Sequence, residues 1–233
     1  MKTINTQTNV TQTKTTRTNT TATDRDIAVE TAKLLLSINA MSFRFDPPFT
    51  YTSGLKSPVY LDNRLVLSHP DVRSQIIKLY IQAIEKHVGR ENVQCVSGTA
   101  TAAIPQAAWI ADHMGVPMVY ARSSAKAHGK KQKIEGQLTK GSKVIIIEDH
   151  ISTGGSAIDN AKTIREVGGI VEFCVATTTY ETEASRRAFA ENNIQLITLT
   201  TGKIIVEQAE KMGLITPKQA ASVHAWFENP SGW

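Results

Sequence analysis

Glu148 and Asp149 stand side by side at the end of the apolar run Val144–Ile147, and the small-residue segment Ser152-Thr153-Gly154-Gly155-Ser156 follows almost at once. An ionised carboxylate only accepts hydrogen bonds, so a hydroxyl is its natural target, and vicinal hydroxyls on a sugar suit a pair of them. Acids at that place also favour positive charge developing on a ribose ring as a bond to it breaks. Small residues let backbone N–H groups approach a phosphate, and a helix starting there adds its positive end. Thr153 and Ser156 bring hydroxyl donors. The two halves together fit a sugar with hydroxyls in its middle and a phosphate at one end. A second reading of the same residues is plainer: Asp149 caps a turn, and the glycines serve only a tight strand-to-helix connection.

Such a site needs a strand to end at the acids and a helix to begin after the glycines. The sequence predicts both. Apolar strands "VQCVS", "PMVYA", "KVIIIE", "IVEFCVATT" and "IQLITLT" alternate with helical patterns, among them "SAIDNAKTIREVG" directly after the small residues. That alternation indicates an α/β fold, a parallel sheet covered by helices on both faces. In such sheets ligands sit beyond the carboxyl ends of the strands, where Glu148 and Asp149 fall. Upstream, Thr23 or Asp24 can cap a first helix, "FRFDPPFTYTSGLKSPVYLDNR" reads as loops and short strands, and Pro70 opens a second helix ended by Gly89. Two helices close the chain, the last capped by Thr216 with Pro217 in its first turn. Other phosphate motifs fit worse: "GQLTKGSK" precedes a strand instead of following one, and no G-x-G-x-x-G is present.

Composition bounds the rest. The 233 residues are 41% hydrophobic, enough for one domain with a real core. No apolar run approaches the length of a membrane span, and the N-terminus has no apolar signal region. Residues 1–23 are nearly half threonine and cannot bury enough apolar area to offset their ordering entropy, so a disordered tail is expected. Cys95 and Cys174 each lie in an apolar strand, which predicts reduced, buried thiols in a cytoplasmic protein. The net charge of +5 is concentrated: Ala125–Lys143 holds six lysines and one acid. That cluster suits a polyanion such as a diphosphate, or nucleic acid, or a solvated loop. His69, His87, His113 and His224 read as structural or surface residues, and Trp109 and Trp226 as core or interface aromatics.

The stretch "EDHISTGGS" resembles the phosphoribosyl diphosphate signature of the type I phosphoribosyltransferases, an apolar strand, two acids and a Thr-Gly-Gly-Ser loop. "YARSSAKAHGKKQKIEG", "FTYTSGLKSPVYLDNR" and "SGTATAAIPQAAWIADHMG" are similar to the catalytic loop, the N-terminal hood and the diphosphate-side loop of the orotate phosphoribosyltransferases. The resemblance covers roughly residues 24–233. It implies a parallel twisted sheet flanked by helices, with a small hood (about 24–66) over the core (about 67–233). It implies transfer of a phosphoribosyl group from phosphoribosyl diphosphate to orotate, giving orotidine 5′-monophosphate and diphosphate in pyrimidine (UMP) synthesis.

By the same resemblance, Glu148 and Asp149 bind the ribose hydroxyls, and Thr153, Gly154, Gly155 and Ser156 cradle the 5′-phosphate. Ser152 also touches orotate. His150 and Ile151 fall inside this binding stretch, His150 in a variable slot assigned to packing. Arg122, Lys126 and His128 grip the diphosphate, with Lys126, His128 and Asp149 the catalytic set and Gly129 and Gly136 the loop's hinges. Lys56 matches a hood lysine and is assigned to orotate, and Arg64 is a candidate for the orotate carboxylate. Mg²⁺ is expected on the diphosphate with no direct protein ligand. A homodimer with the loop acting across the interface is expected, with neither membrane nor nucleic acid as partner. Ser123 and Thr52 stand where many family members have lysines. A purine phosphoribosyltransferase is disfavoured by the hood and the "KAHGK" loop. A nucleic-acid-binding regulator is disfavoured because no helix-turn-helix stands apart from the sheet. The length predicts no fused decarboxylase domain downstream.

Overall fold

The computed structural model describes residues 23–122 and 133–233. The expected tail (all but Thr23) and the expected roles of Ser123, Lys126, His128 and Gly129 therefore lie outside the described residues. Helix α1 (Asp24–Ser37) opens with a capping box, in which the Thr23 hydroxyl accepts from the Asp26 N–H and the Asp26 carboxylate accepts from the Thr23 N–H. Next come β1 (Met41–Phe43), β2 (Phe49–Thr50), β3 (Lys56–Ser57) and β4 (Val59–Leu61), paired antiparallel as β1 with β4 and β2 with β3. A 3₁₀ turn over Asn63–Ser68 leads into α2 (Pro70–His87).

The core runs β5 (Cys95–Thr99), α3 (Ile104–Met114), β6 (Met118–Ala121), β7 (Ile134–Glu135), β8 (Lys143–Ile151) and α4 (Gly155–Glu166). It continues through β9 (Ile170–Thr179), α5 (Glu183–Glu191), β10 (Gln195–Thr201), α6 (Gly202–Lys211) and α7 (Pro217–Glu228). These strands form a six-stranded sheet in the order β10-β9-β8-β5-β6-β7, parallel except for the β6–β7 pair. From β5 the chain steps outward to β6. It returns to β8 on the other side of β5 and then continues away through β9 and β10. The order reverses between β5 and β8, which opens a crevice at their carboxyl ends.

β8 is apolar from Val144 to Ile147 because both of its faces are covered. Val144 and Ile146 join Ala157, Ile158 and Phe189 of α4 and α5 in one core cluster. Ile145 and Ile147 join Tyr80, Ile84 and Ile110 of α2 and α3 in the other. Leu35 and Leu36 of α1 enter this second cluster beside Leu199 and Ile205, so α1 packs on β10 and α6. Cys95 and Cys174 are buried free thiols.

Several boundaries shift by a few residues from the sequence expectation, as where β5 covers Cys95–Thr99 rather than "VQCVS", and one shift bears on the site. β8 was expected to end at Glu148 and instead runs to Ile151, because β9 keeps pairing with it through His150↔Thr178 and Ile151↔Thr179. The acids therefore sit on a laddered strand. Their polarity hides the strand end from an apolar pattern, as happens where function overrides local rules.

Candidate active site

The backbone at the two acids is held from several sides. The Tyr80 hydroxyl, fully buried on α2, donates to the Glu148 carbonyl at 2.8 Å and lies 2.8 Å from Thr177 Oγ1. Asn63 Nδ2 donates to the Asp149 carbonyl at 2.6 Å and to Thr178 Oγ1 at 2.7 Å. Glu148 is 5% exposed, and its Oε1 accepts the Asp149 N–H at 3.0 Å. Burial, and then the Asp149 carboxylate beside it, push the Glu148 carboxyl up to about 8. Glu148 thus carries its proton near neutral pH when nothing positive lies nearby. His150 is driven the other way, down to about 4, by burial. Its imidazole is neutral, edge-on to the Tyr180 ring with centroids 4.4 Å apart.

After β8 the chain bends at Ser152 and Thr153 and turns at Gly154, whose φ is +88°. A Cβ there would lie 2.9 Å from Phe189 Cε2, so the position demands glycine for both conformation and space. At Gly155, by contrast, a Cβ would meet nothing within 4 Å. Helix α4 starts at Gly155 with no side-chain cap, like α2 and α3, whereas α1, α5, α6 and α7 each begin with a threonine hydroxyl accepting a backbone N–H. The first N–H groups of α4 are left for an outside acceptor, as an anion site requires. The loop is braced by Thr182, whose hydroxyl donates to the Ser152 carbonyl at 2.7 Å.

Two cavities reach this segment. One, of about 370 Å³, is polar, with Thr99, Ala100, Arg122, Lys133, Ser156, Asp159 and Lys162 in its walls. The other, of about 430 Å³, is aromatic, lined by Tyr51 between β2 and β3, Tyr60 of β4, His150 and Ser152, Tyr180, and Trp226 and Phe227 of α7.

The family model described as the phosphoribosyl transferase domain matches residues 65–204. An orotate phosphoribosyltransferase of Coxiella burnetii is 42% identical over 206 residues, 88% of this chain and 98% of that one. One from Listeria innocua is 43% identical over 207 residues, 89% of this chain and 98% of the other. The crystal structure of orotate phosphoribosyltransferase from Aeropyrum pernix superposes with a TM-score of 0.67 at 27% identity, covering 79% of this chain and 99% of that one. The chain belongs to the orotate phosphoribosyltransferase family. It has the type I phosphoribosyltransferase fold that "EDHISTGGS" led us to expect.

Within this orotate phosphoribosyltransferase family member, the residues singled out by sequence fall as follows. Glu148, Asp149, His150, Ser152 and the Thr153–Ser156 turn are brought together at the β8 end. The Ile151 side chain is buried in the core with Ala157 and Ile158 and faces away from solvent. Arg122 reaches the polar cavity but is paired with Glu135 at 3.1 Å. Arg64 makes a two-point ion pair with Asp62, Nε–Oδ1 2.6 Å and Nη2–Oδ2 2.9 Å, and is exposed. Lys56 donates to Thr50 Oγ1 at 2.8 Å, and its carbonyl accepts from Trp226 Nε1 at 2.8 Å. Gly136, at φ +93°, packs against the Met118 carbonyl.

Sequence reasoning missed Tyr51, Tyr180 and Phe227, and gave Trp226 only a core or interface role. It also missed Asn63, Tyr80 and Thr178. The triple threonine Thr177–Thr179 at the end of an apolar strand was a usable signal, since hydroxyls there must find buried partners.

Proposed function

We propose that this chain transfers the phosphoribosyl group of phosphoribosyl diphosphate to orotate, forming orotidine 5′-monophosphate and diphosphate. The observation that carries the reading is an acid pair, Glu148 buried and Asp149 part-buried, followed by an uncapped, glycine-started helix, with a polar cavity along that helix and an aromatic one at His150 and Ser152. In this reading the α4 N-terminus and Ser156 hold the 5′-phosphate, Glu148 and Asp149 hold the ribose hydroxyls, and the aromatic cavity takes the base. Orotate N1 attacks C1′ as the C1′–oxygen bond to diphosphate breaks, so no covalent intermediate on the enzyme is required. As positive charge grows on the ribose, Asp149 stabilises it directly, and the same charge draws Glu148 toward its ionised form. Arg122 exchanges Glu135 for the diphosphate, and Lys126 and His128 of the loop add further donors to the leaving group.

Mg²⁺ belongs to this reading. Its preference for oxygen ligands suits the diphosphate and water, with no direct protein ligand. When bound, it would neutralise charge on the leaving group. Residues about 24–66 supply the hood over the base, with α1 packed on the core that about 67–233 form, and 1–23 are a tail. A homodimer with the loop serving the partner's site is supported by the resemblance of Tyr120–Gly136 to the family's loop. A cytoplasmic location is supported by two buried, unpaired thiols. No helix among the described residues is long and apolar enough to cross a membrane.

The test is a panel of bases with phosphoribosyl diphosphate and Mg²⁺, followed by absorbance, with Lys126→Ala beside the wild type. Orotate consumption that collapses in the variant is expected. Turnover of hypoxanthine, guanine or adenine in place of orotate would refute the base assignment.

A further inference from the structure

His150 lines the aromatic cavity, and its Nδ1 lies 2.9 Å from Thr178 Oγ1. Which nitrogen carries the proton follows from the neighbours of that hydroxyl. Thr178 Oγ1 also lies 2.7 Å from Asn63 Nδ2 and 3.2 Å from the Asp149 carbonyl. Asn63 Nδ2 is 2.6 Å from the same carbonyl, so this end of the amide must be its donor end, because two oxygens would repel at that distance. Its two hydrogens then serve the Asp149 carbonyl and Thr178 Oγ1.

Thr178 has one proton to give. Given to the Asp149 carbonyl, it fills that contact, and Oγ1 accepts from Asn63 and from a protonated His150 Nδ1. Every contact is then satisfied. Given to His150 instead, it leaves the Thr178 and Asp149 oxygens facing each other at 3.2 Å with no hydrogen between them. Asn63 Oδ1 finds no partner in either arrangement, and in a buried network the arrangement with fewer unpaired contacts wins. The proton therefore sits on Nδ1, and Nε2 keeps a bare lone pair. Nε2 makes no hydrogen bond among the described residues.

We propose that His150 Nε2 accepts a hydrogen bond from the ring N–H of the base, making His150 a specificity-determining residue for a pyrimidine whose ring N–H lies between two carbonyls. The inference rests on the proposed activity and deepens it. It assigns His150 to the base, where the sequence assigned it to packing within the phosphoribosyl diphosphate stretch. A base offering only an acceptor nitrogen at that place would set lone pair against lone pair and be rejected.

Two measurements test it. Nitrogen-15 NMR of histidine-labelled protein, with the His150 signals assigned by their loss in His150→Gln, is expected to show Nδ1 protonated and Nε2 bare. The opposite tautomer would overturn the proposal. In steady-state kinetics, His150→Leu is expected to raise the KM for orotate about tenfold, the scale of one lost hydrogen bond, with the KM for phosphoribosyl diphosphate unchanged. His150→Gln, whose amide oxygen reaches toward the Nε2 position, is expected to recover most of that loss. A leucine variant with the wild-type orotate KM, an equal rise in both KM values, or a glutamine variant no better than leucine would each overturn the acceptor role. Failure of the wild-type protein to consume orotate would sink the proposed activity instead, and the tautomer measurement would still decide where the proton lies.

Discussion

The polar cavity takes its walls from the end of β5, the length of α4 and the residues Ala121, Arg122 and Lys133, and the aromatic cavity gathers rings from four places far apart in the chain. In the first, charged groups meet each other as Arg122–Glu135 and Lys133–Glu166 pairs, at 3.1 and 3.6 Å. In the second, Tyr51, Tyr180, Trp226 and Phe227 pack with centroids 5.2 to 6.2 Å apart, mostly edge to face. The aromatic cavity reaches the acids' strand at His150, and the polar cavity reaches the helix that follows that strand, at Ser156. One side is suited to phosphates that move charge, the other to a planar ring that must be oriented. On the proposed reading, the difference means that the strand end divides the labour: affinity for the ribose phosphate and choice of base are then separable, and variants should separate them.

The largest expected effect is on the shared acids. Asp149→Asn should lower kcat by about 100-fold, since it removes charge aimed at the ribose, while the base-side KM stays put. A loss confined to the orotate KM would break the division. Second, Glu148 makes stability depend on pH. Its folded value, about 8, lies above its ordinary 4.5, so the native state holds a proton that the unfolded chain has released. Stability is therefore fullest below about 4.5 and falls as pH rises to about 8. Denaturant unfolding of the ligand-free protein should show that fall, and Glu148→Gln should remove it.

Third, Gly154→Ala should cost about 1–3 kcal/mol of stability through its φ of +88° and the Phe189 contact, and should weaken phosphoribosyl diphosphate binding. Gly155→Ala, with open space at its Cβ, should unfold at nearly the wild-type denaturant midpoint. Equal losses in the pair would mean that the turn is not held by α5. The smallest effect belongs to the aromatic side. Trp226→Phe keeps a ring but loses the N–H that holds the Lys56 carbonyl, and should cost about 1 kcal/mol with a few-fold rise in the orotate KM alone. A matching rise for phosphoribosyl diphosphate would erase the distinction between the sides.

The sequence made the polar side readable because its chemistry is local. Glu148, Asp149 and the Thr153–Ser156 turn lie within one strand-turn-helix unit, and alternating apolar strands announced the parallel sheet around it. The aromatic side was not readable, since Tyr51, Tyr180 and Trp226 meet only when α7 packs across β3 and the β9 end. Single aromatics in separate segments look like ordinary core. The supports of the acids were hidden for the same reason: Tyr80 and Asn63 touch Glu148 and Asp149 across 68 and 86 residues of chain. Arg64 illustrates the converse. Its type and place suggested a carboxylate partner, and the chain supplies one two residues away in Asp62.

The most direct measurement is a crystal structure of the protein with orotidine 5′-monophosphate bound. The account predicts the phosphate on the backbone N–H groups of Gly155 and Ser156, the ribose hydroxyls at Glu148 and Asp149, and the pyrimidine among His150, Tyr180 and Trp226. A pyrimidine seated in the polar cavity beside Arg122 and Lys162, with the aromatic cavity empty, would contradict it.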